Sequence, residues 1–133
     1  MPNKASDSAR AALAGKCILV LEDEPLIALD LQHALEMCGA SVITARTVTR
    51  ADAHIDAQTP DAAILDVTLG RTTNCEPIAR RLLDLSVPFL LHSGDLDRQG
   101  ELIRRLGAPV VAKPASNDAM ITKLATMLVG DTE

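Results

Sequence analysis

Large rings are almost missing from this chain, which has no Trp, no Tyr and a single Phe, Phe89. With 47% hydrophobic residues, its core must be assembled from Leu, Ile, Val and Ala. Lys and Arg form no cluster and the formal net charge is −5. That removes the basic footprint a phosphate backbone requires, so no direct contact with nucleic acid is expected. Cys17, Cys38 and Cys75 fall into no CxxC or Cys/His pattern, and an odd, scattered count speaks for reduced thiols rather than a disulfide framework. No apolar run approaches the ~20 residues needed to span a bilayer, and the N-terminus lacks an apolar signal region. Neither a membrane partner nor export is expected, and the cytoplasm is the expected location. Internal repeats, linkers and low-complexity blocks are absent too, and 133 residues suit one domain.

What the chain does have is an alternation of short apolar runs with helical patterns. Residues 1–15 are polar or small, offer little to pack, and are expected to form a flexible N-terminal tail, with room for a short helix, ahead of a domain spanning 16–133. CILVL at 17–21 is a continuous apolar run of strand length, the signature of a strand covered on both faces. Pro25 suits a first helical turn, and Ile27, Leu31, Leu35 and Cys38 follow at helical spacing up to Gly39. A second strand at 41–44 precedes a helix with Thr47 as N-cap and Val48, Ala51 and Ile55 on one face. The third strand, 62–65, runs into Asp66, and Ile78, Leu82 and Leu85 mark the helix after it. The fourth, 87–91, leads into His92-Ser93-Gly94 and a helix carrying Leu102, Ile103 and Leu106, closed by Gly107. The fifth, 110–112, meets Lys113-Pro114 before a last helix capped by Ser116. Five strands alternating with five helices make an α/β domain with a parallel sheet covered on both faces.

In such sheets ligands bind beyond the carboxyl ends of the strands, which is where the polar residues collect. Glu22 and Asp23 end the first strand, Asp66 the third, Ser93 the fourth and Lys113 the fifth. Each alone is ordinary: an acidic helix entrance, a turn, a surface lysine before a proline. Together they form one constellation. Three carboxylates in one place repel unless a cation neutralises them, and Mg²⁺ suits oxygen donors of this kind. An Asp carboxylate can act as a nucleophile toward phosphorus, with a hydroxyl (Ser93), an ammonium (Lys113) and the cation stabilising the transferred oxygens. His33, His54 and His92 are isolated from one another and from any Cys.

LVLEDEPL (20–27), PDAAILDVTLG (60–70), Ser93-Gly94 and AKP (112–114) resemble the receiver domains of two-component response regulators, over residues 16–129. The resemblance implies a flavodoxin-like (βα)5 fold, a doubly wound parallel five-stranded sheet in the order 2-1-3-4-5. It implies Asp66 as phospho-acceptor with Ser93 and Lys113 beside it. Mg²⁺ or Mn²⁺ would be held by Asp23 and Asp66, by Glu22 through water and by the Thr68 backbone carbonyl. The implied partners are a sensor histidine kinase or histidine phosphotransfer protein and an unknown downstream protein. With the sequence ending near Glu133, no effector domain and hence a stand-alone receiver is expected. Its contact face would be the fourth helix, fifth strand and fifth helix of the pattern, for a partner or for a second copy in a homodimer.

The run PFLLHSG (88–94) is similar to the fourth strand of a subgroup of stand-alone bacterial receivers, from which Asp95 departs. Receivers also usually carry Tyr or Phe where this chain has Val110, and often Phe where it has Ala115. The aromatic half of the usual switch is therefore missing. Among rivals, a haloacid-dehalogenase-like phosphatase needs a second acid where Thr68 stands. A flavodoxin-like nucleotide binder needs a Gly-rich loop and stacking rings the chain lacks. A degenerate receiver would have lost one of the five strand-end residues, and all are present.

Overall fold

A computed structural model describes residues 7–70 and 72–130. Five parallel strands form the central sheet: β1 (Cys17–Leu21), β2 (Ser41–Ala45), β3 (Ala62–Asp66), β6 (Phe89–Ser93) and β7 (Val110–Ala112). Their spatial order is β2-β1-β3-β6-β7, the expected doubly wound order. A short antiparallel pair, β4 (Thr68–Leu69) and β5 (Thr73–Asn74), follows β3 and is an addition to the expected pattern. The helices are α1 (Asp7–Leu13), α2 (Pro25–Glu36), α3 (Val48–Ala57), α4 (Glu76–Asp84), α5 (Leu96–Leu106) and α6 (Asn117–Gly130).

The apolar runs are strands because β1, β3 and β6 are buried along their whole length, sandwiched between helices on both faces. The edge strands β2 and β7 are only partly covered. Successive residues point to opposite faces, so the core divides in two. Leu19, Leu21, Leu65, Phe89 and Leu91 pack with α3, α4 and Leu106 of α5. Ile18, Val20, Ile64 and Leu90 pack against α2 and α6. Local signals hold as read: the Thr47 hydroxyl accepts from Arg50 N, the Ser116 hydroxyl accepts from Ala119 N, and Gly107 closes α5 at φ 66°.

The short helix allowed for in the N-terminal tail is present, but over its described part the tail packs onto the domain; residues 1–6 lie outside the described residues. Residues 7–13 form α1, with Ala9 and Leu13 buried in the α2/α6 side of the core. Two apolar positions in a polar stretch suffice because α6, more than a hundred residues on, supplies the surface they cover. The linker after α1 lies against Gly39, whose φ is +89° and whose missing Cβ would meet Ala14 Cα at 3.3 Å. Leu13 is fully buried, so Leu13→Ala should cost about 2–4 kcal/mol in urea unfolding. A change below about 0.5 kcal/mol, the usual effect at an exposed position, would mean that α1 does not dock.

Candidate phospho-acceptor site

The site is built at the carboxyl ends of four strands. Asp66 is the last residue of β3, the middle strand of the sheet, and is 5% exposed. Glu22 extends β1 by one step, its N–H donating to Ala45 O at 2.9 Å, and is 3% exposed. Its Oε2 accepts from Glu24 N at 3.1 Å, which fixes the carboxylate in place. Asp23 is half-buried and reaches across to the β4–β5 turn, accepting from Gly70 N at 3.0 Å. Oxygen atoms of Glu22, Asp23 and Asp66 lie within 4.8 Å of one another. Lys113 follows β7, its N–H donating to Ser93 O at 2.7 Å. Its Nζ lies 3.1 Å from Asp66 Oδ2 and 3.5 Å from Glu22 Oε1.

One ammonium against three carboxylates leaves an excess of negative charge, and the Asp66 carboxyl records it. Burial first, then the Glu22 charge, raises its pKa from the usual carboxylate range to about 7, although Lys113 pulls the other way. Burial works against the Lys113 ammonium, but Asp66 and Glu22 outweigh it and its pKa is raised. The buried Cys75 thiol is pushed up to about 12 by burial and then by Asp66, which leaves it inert. His92 pairs with Asp66 in the sheet register, and burial, then Lys113, lowers its pKa to about 4. It is neutral at physiological pH, and its Nε2 finds no partner among the described residues.

A cleft of about 560 Å³ opens over this ring, lined by Asp23, Asp66, Thr68, Gly94, Gln99 and Lys113 among others. Sequence reading thus has Glu22, Asp23, Asp66 and Lys113 together. Thr68 forms part of the cleft wall. Ser93 ends its strand at the same edge but is buried, with its hydroxyl turned to a residue that sequence reading missed: it donates to Gln99 Oε1 and accepts from Asp95 N at 3.2 Å. Gln99 Nε2 in turn donates to the Thr68 hydroxyl. Nothing in the sequence marks Gln99, whose partners are 6 and 31 residues away.

Among solved structures, the receiver domain of the Erythrobacter litoralis response regulator PhyR is similar, with a TM-score of 0.76, 22% identity, and coverage of 88% of this chain and 92% of that one. A Francisella response-regulator receiver domain gives a TM-score of 0.74 at 20% identity, covering 90% of this chain and all of the other. By fold, the chain matches response-regulator receiver domains. In sequence, it is 30% identical over 131 residues to the phosphate regulon transcriptional regulatory protein PhoB of Pseudomonas aeruginosa. That match covers 91% of this chain and 57% of the relative, so the chain spans little more than half its length. No protein-family model matches.

The donor set of this chain fits a hard divalent cation: all three groups offer carboxylate oxygens, and Asp66 carries the raised pKa that a second positive charge would relieve. Asp23→Ala should weaken Mg²⁺ binding at least about ten-fold in calorimetric titration while leaving the fold intact. Undiminished affinity would place the metal elsewhere.

Proposed function

We propose that this chain is a phospho-acceptor signalling domain rather than an enzyme acting on other substrates. In this reading Asp66 receives a phosphoryl group from a phosphohistidine of a sensor histidine kinase or histidine phosphotransfer protein. The reaction depends on Mg²⁺ or Mn²⁺ and takes place in the cytoplasm. Output runs through protein contacts on the α5–β7–α6 face, with a downstream protein or a second copy of the chain. The observation that carries this is the Lys113 ammonium 3.1 Å from Asp66 Oδ2 inside a ring of three carboxylates.

In the transfer an Asp66 oxygen attacks phosphorus, the bond from phosphorus to the donor imidazole nitrogen breaks, and the imidazole keeps the electron pair. Asp66 must be ionised to attack, and a pKa of about 7 without metal leaves it only partly charged at neutral pH. Asp23 and Asp66, with Glu22 and the Thr68 carbonyl beside them, would hold a divalent cation, which would supply the missing positive charge when bound. Lys113 orients the carboxylate beforehand and meets the phosphoryl oxygens afterwards. Glu24 N–H and Gly70 N–H hold the two flanking carboxylates at fixed positions, so the ring needs no rearrangement at the moment of transfer. A dehalogenase-type phosphatase has no support here, because the side chain two residues past Asp66 is a Thr hydroxyl bonded to Gln99.

The test is to incubate the protein with phosphoramidate or acetyl phosphate, with and without Mg²⁺, and to map any adduct by mass spectrometry. One acid-labile phosphoryl group on Asp66, dependent on the metal, is expected. No adduct, or one confined to another residue, would overturn the reading.

A further inference from the structure

We propose that Gln99 is a latch holding the Ser93 hydroxyl in its resting position, and that phosphorylation of Asp66 acts by breaking it. The inference rests on the phospho-acceptor reading and adds its regulation. A serine hydroxyl has one proton to donate. Here that proton goes to Gln99 Oε1, while the Ser93 oxygen accepts from Asp95 N at 3.2 Å. An ionised phosphoryl group on Asp66 offers only acceptors, so Ser93 can bind it only by donating the same proton. The Ser93–Gln99 bond and a Ser93–phosphoryl bond are therefore mutually exclusive, which makes the hydroxyl a two-state element.

What the latch restrains is α5. Gln99 sits in the N-terminal half of this helix and ties it to the ends of two strands, to Ser93 of β6 and through Nε2 to Thr68 of β4. Little else holds that half. Leu106, at the far end, is the buried residue of the helix; Leu102 and Ile103 are only partly covered, and Leu96 is 43% exposed. Gly100, in the helix interior, lowers its stability further. A segment with few buried apolar contacts moves at low cost once a polar tether is released. Leu102, Ile103 and Val110 are all partly buried against the same core cluster, and Val110 offers no ring to swing inward.

Gln99 is thus a positioning residue, and Gln99→Leu, of similar size without polar atoms, separates the latch from simple packing. Beryllofluoride with Mg²⁺ serves as the phosphoryl mimic. Its affinity should rise about five-fold in Gln99→Leu, as expected when one competing side-chain hydrogen bond is removed. In a Ser93→Ala background the same substitution should change affinity by less than about two-fold, because no hydroxyl remains to be latched. Amide shifts of α5 in the unliganded Gln99→Leu protein should move toward their beryllofluoride-bound positions, and Gln99→Ala should do the same. Equal effects in both backgrounds, or no gain in affinity, would overturn the latch while leaving the acceptor site standing. Failure of the wild type to bind beryllofluoride would overturn the phospho-acceptor reading, and the latch with it.

Discussion

Asp66→Asn is expected to take up no phosphoryl group from small donors and, at the same time, to be more stable than the parent chain. Loss of uptake follows from removing the nucleophilic oxygen. The gain in stability follows from the raised pKa. The native carboxyl holds its proton up to about pH 7, whereas in the unfolded chain it releases it near its ordinary value of 3.8. Between these values Asp66 binds more proton in the native state than in the unfolded state, so its contribution to wild-type stability falls as pH rises from about 4 to about 7. Above that window the cost is complete. Asparagine carries no charge, so its contribution does not change across the window, and at pH 8 without divalent ions the variant should lead by on the order of 2 kcal/mol. That is less than the full difference between the two pKa values implies, because the substitution also leaves Lys113 with Glu22 alone. Mg²⁺ should close most of the gap by stabilising the wild type. Urea denaturation at pH 5 and pH 8, with and without Mg²⁺, measures all of this. His92, with its pKa lowered to about 4, contributes the opposite slope in both proteins, so the test is their difference: a lead of the variant that does not widen between those pH values would show that Asp66 is not held protonated by its surroundings.

Lys113→Ala should have the opposite effect on stability. Its ammonium is the partner of both buried carboxylates, Asp66 at 3.1 Å and Glu22 at 3.5 Å, and removing one member of a buried pair strands the others. At pH 8 without metal a loss of about 2 kcal/mol is expected, limited by the ability of Asp66 to take up a proton instead. At pH 5, where Asp66 is already protonated, the loss should shrink. Mg²⁺ affinity should stay the same or increase, since a competing positive charge has gone, and this separates Lys113 from Asp23. Phosphoryl uptake should persist more slowly, while the response of α5 to beryllofluoride is largely lost, because the ammonium meets the phosphoryl oxygens and not the cation. An intact α5 response would reduce Lys113 to a structural counter-ion.

The residues that answer these tests are legible in the sequence, and for a definite reason. A strand buried on both faces must be apolar throughout, so 17–21 and 62–65 announce themselves, and the first charged residue after each marks the strand end. In a parallel sheet all those ends share one edge. Glu22, Asp23, Asp66 and Lys113 therefore converge by topology alone. Helix punctuation is similarly local: Thr47, Ser116 and Gly107 act on backbone groups within a turn of themselves.

Periodicity and capping determined the five-stranded α/β fold and the acidic ring with its lysine, because both depend on residues near in sequence or on the shared direction of the strands. Tertiary structure alone decided the rest. Docking of α1 depends on a face of α6 to which its own seven residues give no clue. The β4–β5 pair has too few residues for a periodic signal. The Gly70 N–H on Asp23 spans 47 residues, and the Gln99 amide joins Thr68 to Ser93 across three elements. Such bonds form only when packed elements bring donor and acceptor within about 3 Å, a distance that no local pattern of residues encodes.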